Sequence, residues 1–166
     1  MMNKKELPYR KGVGIVLFNA LNQVWIGKRL VKPGQTIENY WQMPQGGIDD
    51  GEMPEQAVFR ELEEETGSRS AEIIRSSENW FTYDLPENLR GHVWGGKFRG
   101  QKQKWFALKY TGNEKDFNLN QHSEPEFSEW QWTDFINLPE LIVPFKIELY
   151  QKVINEFSDL SGLADR

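Results

Sequence analysis

Apolar and polar positions alternate along much of this chain, and the period of the alternation changes from segment to segment. Residues 12–18 (GVGIVLF) form a short continuous apolar run and predict a buried strand. Asn19-Ala20-Leu21-Asn22 is turn chemistry, and residues 23–29 alternate as a second strand, so a hairpin is expected. Lys32-Pro33-Gly34 reads as a loop and residues 41–44 as a short strand. A loop over 46–52 leads into a helix over 54–66, whose Val58, Phe59 and Leu62 form a core-facing side. Ala57, on the opposite side, is small enough to let that face approach other groups.

The second half continues in the same manner. Residues 71–85 are strand-like, with Ile73, Ile74, Trp80, Phe81 and Tyr83, and residues 86–100 are an irregular glycine-rich connection. A strand is expected over 103–111, a polar loop over 113–123, and a half-buried strand over 127–135, where Trp130 and Trp132 alternate with polar residues. Phe145, Leu149, Val153 and Phe157 recur every four residues, which predicts an amphipathic helix over 144–157 opened by Pro144. Residues 158–166 read as a frayed end. Repeats, linkers and a second core are absent, so 1–166 reads as one domain of α/β class, with a mixed sheet between helical layers.

Composition narrows the chemistry. The chain has no cysteine, which excludes disulfides, thiolate metal sites and a cysteine nucleophile, and fits a reducing compartment. His92 and His122 lie thirty residues apart and make a poor zinc pair. No apolar run reaches the ~20 residues of a membrane span. Lys4, Lys5, Arg10 and Lys11 precede an apolar run too short for a secretory signal, so the expected location is cytoplasmic. Seven tryptophans can fill a sizeable core. A net charge of −5 argues against tracking along a nucleic-acid backbone but not against grasping one end of a polyphosphate.

The informative segment is GGIDDGEMPEQAVFRELEEETG, residues 46–67. At ~100° per residue, Glu61, Glu64 and Glu65 fall within an arc of about 100° on the helix. Like charges so placed repel unless a cation sits among them. A solvated helix face is the ordinary reading of such a run, but it leaves Gly46, Glu52, Arg60 and Gly67 at their fixed offsets unexplained. A chance match of the whole pattern is on the order of 10⁻⁷ for a chain of this length. Hard oxygen ligands suit magnesium, and Arg60, one turn before Glu64, can steady a carboxylate.

This pattern resembles the Nudix box: Gly46, five residues, Glu52, seven residues, then Arg60-Glu61-Leu62-Glu63-Glu64-Glu65-Thr66-Gly67. Ser68 replaces the usual final aliphatic, and Met53 stands where a Ser or Thr cap is expected, with Pro54 as partial compensation. The resemblance implies an α/β/α sandwich of the Nudix fold and hydrolysis of a phosphoanhydride bond by water, without a covalent enzyme intermediate. It implies Mg as cofactor, with Mn able to substitute. Glu61, Glu64 and Glu65, together with Gly46, are the implied metal site. Glu52 orients the loop or Arg60, and either Glu61 or Glu64 is the general base.

Flanking segments extend the resemblance from about Tyr9 to Phe157. They are Trp41-Gln42-Met43-Pro44-Gln45-Gly46-Gly47, Gly100-Gln101-Lys102-Gln103-Lys104-Trp105-Phe106, Pro125-Glu126-Phe127, Trp130-Gln131-Trp132 and Val143-Pro144-Phe145-Lys146. They are similar to the bacterial RNA pyrophosphohydrolase and dinucleoside polyphosphate hydrolase subfamily, in which the glutamate of the Pro-Glu-Phe segment, here Glu126, joins the metal site. The substrates implied are 5′-triphosphorylated RNA ends, giving a 5′-monophosphate and promoting RNA decay, or diadenosine tetraphosphate, cut asymmetrically to ATP and AMP. A non-catalytic nucleotide-sensing module would not need Glu52, Arg60, Glu61, Glu64 and Glu65 intact. Arg10, Lys28, Arg29, Lys102 and Lys104 are expected to neutralise phosphates, against the alternative of ordinary surface charge, and Gln45 and Lys146 are counted with the substrate site. Phe145 either stacks on a base or packs beneath the last helix. No obligate protein partner is evident.

Overall fold

The computed structural model describes residues 7–30 and 40–161. The loop expected at 32–34, Lys4 and Lys5, and the end beyond 161 lie outside the described residues. Among the described residues eight strands form one sheet: β1 (Tyr9–Phe18), β2 (Gln23–Arg29), β3 (Trp41–Gln42), β4 (Gln45–Gly47), β5 (Ala71–Ser76), β6 (Phe81–Asp84), β7 (Gly100–Tyr110) and β8 (Phe127–Asp134). Three helices join them: α1 (Pro54–Thr66), α2 (Leu138–Leu141) and α3 (Ile147–Phe157).

The spine of the sheet is a parallel pairing of β1 with β7, in register from Tyr9↔Gly100 to Phe18↔Lys109. Every other pairing is antiparallel. Period-two alternation sends successive side chains to opposite faces. On β1, Val13, Ile15 and Leu17 join the core beneath α1, whereas Val16 and Phe18 join the core beneath α3. On β7, Phe106 and Leu108 take the α1 side, and Trp105 and Ala107 take the α3 side. Both central strands are therefore apolar on both faces, as sandwiched strands must be. The expected α/β/α sandwich with a mixed sheet is what forms.

Several boundaries differ from the sequence reading. β1 starts at Tyr9 rather than residue 12, and β7 at Gly100 rather than residue 103, because each supplies the other's hydrogen bonds. The hairpin is splayed: β1 and β2 share the pair Phe18↔Val24, while β2 runs along β8. The strand expected over 41–44 keeps only 41–42 as β3, and a separate strand, β4, follows Met43-Pro44. Met43 N–H there donates to the Tyr150 hydroxyl at 2.8 Å instead of to a strand. The strand-like stretch 71–85 divides into β5 and β6, and both pair with β7. The last helix opens with a 3-10 turn at Pro144–Lys146 before α3, and the short α2 was not anticipated.

Candidate active site

The box helix is built as its sequence requires. Met53 offers no side-chain cap, but its N–H donates to Gln56 Oε1 at 2.9 Å, and Pro54 opens the first turn. Gly67 ends the helix with φ +86°, a left-handed conformation that favours glycine. Ser68, at the position usually aliphatic, is buried and accepts a hydrogen bond from the Tyr110 hydroxyl at 3.0 Å.

Val58 and Leu62 pack into the core as expected, while Phe59 is only half-buried. Ala57 also packs into the core, not merely alongside the carboxylates. The glutamate stripe itself turns inward. Glu61 is 9% exposed and Glu65 6%, and Glu64 lies nearer the rim. Glycines admit them: a Cβ on Gly46 would lie 1.9 Å from the Glu61 carboxyl carbon.

Arg60 organises the cluster. Its Nε and Nη2 donate to the two Glu52 oxygens, each at 2.8 Å, and its Nη1 donates to Glu61 at 2.8 Å. Nη2 also reaches the Gly47 carbonyl at 2.7 Å, and Nη1 lies 3.4 Å from Glu64. Glu52 Oε1 in addition accepts from Asp49 N–H at 3.0 Å. The bidentate hydrogen bonds from Arg60 hold the Glu52 carboxyl down at about 2. Glu52 thus anchors the loop and Arg60 from behind the cleft.

The inward glutamates are a different case. Burial pushes Glu61 up to about 7 despite the Arg60 hydrogen bond. Burial, then the charges of Glu61 and Glu126, push Glu65 well above the ordinary range. Glu65 Oε1 accepts weakly from Gln45 N–H at 3.4 Å, whereas its Oε2 is buried without a partner. An orphaned buried carboxylate oxygen among hard oxygen donors fits a divalent cation. Glu61, Glu64 and Glu65 would hold it, with Glu126 at the lip. Among the described residues, no three His, Asp or Glu side chains are already disposed around a single metal point.

These groups open onto a cleft of about 530 Å³. Arg10, Gln45, Gly46, the three box glutamates and Glu126 line it. Arg29, Phe145 and Lys146 line the same cleft. The Phe145 ring lies 6.0 Å from the buried Tyr83 ring and is half-buried, so it both packs and faces the cleft. Lys146 Nζ sits 5.1 Å from the Tyr83 ring centre. Burial, then the charge of Arg29, bring Lys146 down to about 7, with Glu65 opposing.

Three expected phosphate ligands are not brought in. Lys28 pairs with Glu129 at 3.2 Å, and neither Lys102 nor Lys104 lines the cleft. On β7 the glutamines, not the lysines, alternate onto the side that reaches the site. Gln101 lines the cleft, and Gln103 is fully buried, donating to Gln45 at 3.0 Å and accepting from Trp105 Nε1 at 3.1 Å. Tyr83 and Trp94 also line the cleft, although the sequence reading marks Tyr83 only as a strand residue and Trp94 not at all. An aromatic set within the glycine-rich stretch 91–96 was the available signal for Trp94.

A family model described as the NUDIX domain matches residues 8–153. The chain belongs to the Nudix family. Nudix hydrolases generally use divalent metal ions, in keeping with the orphaned Glu65 oxygen. A protein named RNA pyrophosphohydrolase from Rhodospirillum rubrum is 52% identical over 158 residues, covering 95% of this chain and 90% of its own length. One of the same name from Bartonella bacilliformis is 46% identical over 166 residues, covering 96% and 98%. Among solved structures, the E. coli dihydroneopterin triphosphate pyrophosphohydrolase superposes with a TM-score of 0.64 at 19% identity, covering 89% of this chain and 99% of its own, a likeness of fold. No helix among the described residues is long and apolar enough to cross a membrane.

Proposed function

We propose that this chain is a magnesium-dependent RNA pyrophosphohydrolase of the cytoplasm, with manganese able to substitute. The reading is carried by one arrangement: the buried box carboxylates line the same cleft as Arg10, Arg29, Tyr83, Phe145 and Lys146. A nucleotide joined to a polyphosphate needs these same chemistries: cations for the phosphates, carboxylates for a metal and aromatic rings for the base. The names of the two relatives support the choice of RNA.

A divalent cation at Glu61, Glu64 and Glu65 would neutralise phosphate charge and lower the pKa of a bound water. The chain's own residues do the rest. Arg10 and Arg29 are cations facing the cleft and serve to hold phosphate oxygens. The aromatic pair Tyr83 and Phe145 holds the base. Glu52 fixes Arg60, and Arg60 fixes Glu61. Water attacks phosphorus, the α–β anhydride bond breaks, pyrophosphate leaves, and a carboxylate takes the water's proton. That base is either Glu61, held by Arg60, or Glu64, nearer the rim.

The test is a competition between a short triphosphate-ended RNA and diadenosine tetraphosphate in one reaction with magnesium. Pyrophosphate and monophosphate-ended RNA should dominate the products. Dominance of ATP and AMP would make the dinucleotide the substrate, and absence of both products would remove the hydrolase reading.

A further inference from the structure

Arg10 is a half-buried cation of the cleft whose guanidinium makes no ion pair among the described residues. It lies against Gly47: a Cβ there would fall 2.2 Å from Arg10 Nη2. An aromatic ring lies beside it as well: the guanidinium carbon stands 5.2 Å from the centre of the Trp94 ring, and its charge is felt by Glu61 and Tyr83. Gly47 is thus flanked by two guanidiniums, Arg10 at its α-carbon and Arg60 at its carbonyl. Arg60 is saturated with carboxylates, whereas Arg10 keeps its donors for something else.

Trp94 is an unusual residue to find at this place. Its φ is +52°, a left-handed conformation that disfavours bulky side chains, and its neighbours at positive φ are the glycines 91, 95 and 96. The turn adopts what glycine permits, yet carries an indole at the one position that reaches Arg10. The connection bearing it is pinned at both feet. Asp84 accepts from the Tyr9 hydroxyl at 2.5 Å and from Arg99 at 2.8 Å. Arg90 donates to the Leu85 carbonyl at 2.9 Å, and Leu85 N–H donates to the Arg99 carbonyl at 2.8 Å. Tyr9 is the residue before Arg10, so the feet of the turn and the root of the arginine share one anchor. The Phe98 ring meets Trp94 edge-on at 6.3 Å and backs the indole.

We propose that Trp94 is a positioning residue for substrate phosphate: its ring holds the Arg10 guanidinium against Gly47, aimed along the cleft toward the box carboxylates. This rests on reading the cleft as a polyphosphate site. An aromatic face can orient a cation without consuming its hydrogen-bond donors, which a carboxylate in the same place would do. Held in this way, Arg10 meets the phosphate with little ordering left to lose.

The experiment is a double-mutant cycle. ATP binding is measured by calorimetry in excess EDTA, where no turnover intervenes, for the wild type, Trp94→Leu, Arg10→Ala and the double variant. Trp94→Leu should weaken binding about two- to fivefold, the size of an exposed cation–π contact, and should have no further effect once Arg10 is alanine. Trp94→Phe, which keeps a π face, should restore binding to within about twofold. On triphosphate-ended RNA with magnesium the single variant should raise KM more than it lowers kcat. Equal losses from Trp94→Leu with and without Arg10, or no recovery in Trp94→Phe, would overturn the proposal. Loss of RNA turnover in the wild type would instead count against the substrate assignment, and the binding cycle would still be read.

Discussion

The carboxyl of Glu61 occupies the space that a side chain on Gly46 would need, with the virtual Cβ 1.9 Å from its Cδ. The first glycine of the box and the first glutamate of its helical cluster, fifteen positions apart in sequence, are one packing unit. Gly46→Ala should therefore displace Glu61 by an ångström or more and lower turnover about 10²-fold, as misplacement of that size does. Melting should fall by no more than an overpacked site implies, about 1–3 kcal/mol. A steady-state assay with a thermal melt checks both, and near wild-type turnover would separate Glu61 from the chemistry.

Glu65 is buried, carries an unpartnered oxygen, and is pushed toward its neutral form by burial and by neighbouring negative charge. Glu65→Gln keeps the volume and removes that charge. Turnover should drop by at least about 10²-fold while stability in chelator is unchanged or higher, because glutamine is neutral there without having to take up a proton. Glu64→Gln should lose comparable activity. A stability loss in Glu65→Gln with activity intact would mark the residue as structural.

The raised carboxyls also set the sign of a pH effect. A group whose folded pKa lies above its unfolded value adds stability that is fully present below the unfolded pKa and lost as pH rises through the folded one. For Glu61 that window runs from about 4.5 to about 7, and Glu65 extends it upward. In EDTA the melting temperature should therefore fall between pH 5 and pH 7; above pH 7 Lys146, brought down to about 7, acts in the opposite direction. Added magnesium should remove most of that fall. Glu52, held at about 2, acts in the opposite direction but only below pH 4.5. Melts across pH with and without metal distinguish this from a flat profile, which would place the glutamates in solvent.

Phe145 faces both the core and the cleft, so its two roles separate by substrate. Phe145→Ala should lower catalytic efficiency on triphosphate-ended RNA by about 1–3 kcal/mol and leave inorganic tripolyphosphate, which has no base, much less affected. Equal losses on both would assign the ring to packing beneath α3.

Lys102 and Lys104 lie outside the cleft. Their alanine variants should keep efficiency on RNA within about twofold, as surface substitutions away from a site do. Arg29→Ala, by contrast, should lose about tenfold or more, the size of a charged hydrogen bond. A large loss in either lysine variant would show that RNA follows a path beyond the cleft.

The box chemistry was legible in the sequence because it is local. Glu52, Arg60, Glu61, Glu64 and Glu65 are related by helical spacing and one short loop, and the folded Arg60 network realises that spacing. The layered fold was legible for a similar reason, since two-sided apolar strands and one-sided helices leave few ways to bury themselves. Spacing alone left open which way the glutamate stripe faces. It turns inward because Gly46 leaves room, and that clearance exists only once β4 lies across α1. The placement of Lys102 and Lys104 outside the cleft and of Trp94 within it has the same origin. Strand register decides whether Lys102 and Lys104 or Gln101 and Gln103 face the site, and β7 takes its register from β1, some ninety residues earlier. The contact of Trp94 with Arg10 likewise depends on a turn whose ends are tied to β1 and β6. Local spacing is written in the chain itself, whereas register, burial and the aim of a side chain are set by partners distant in sequence.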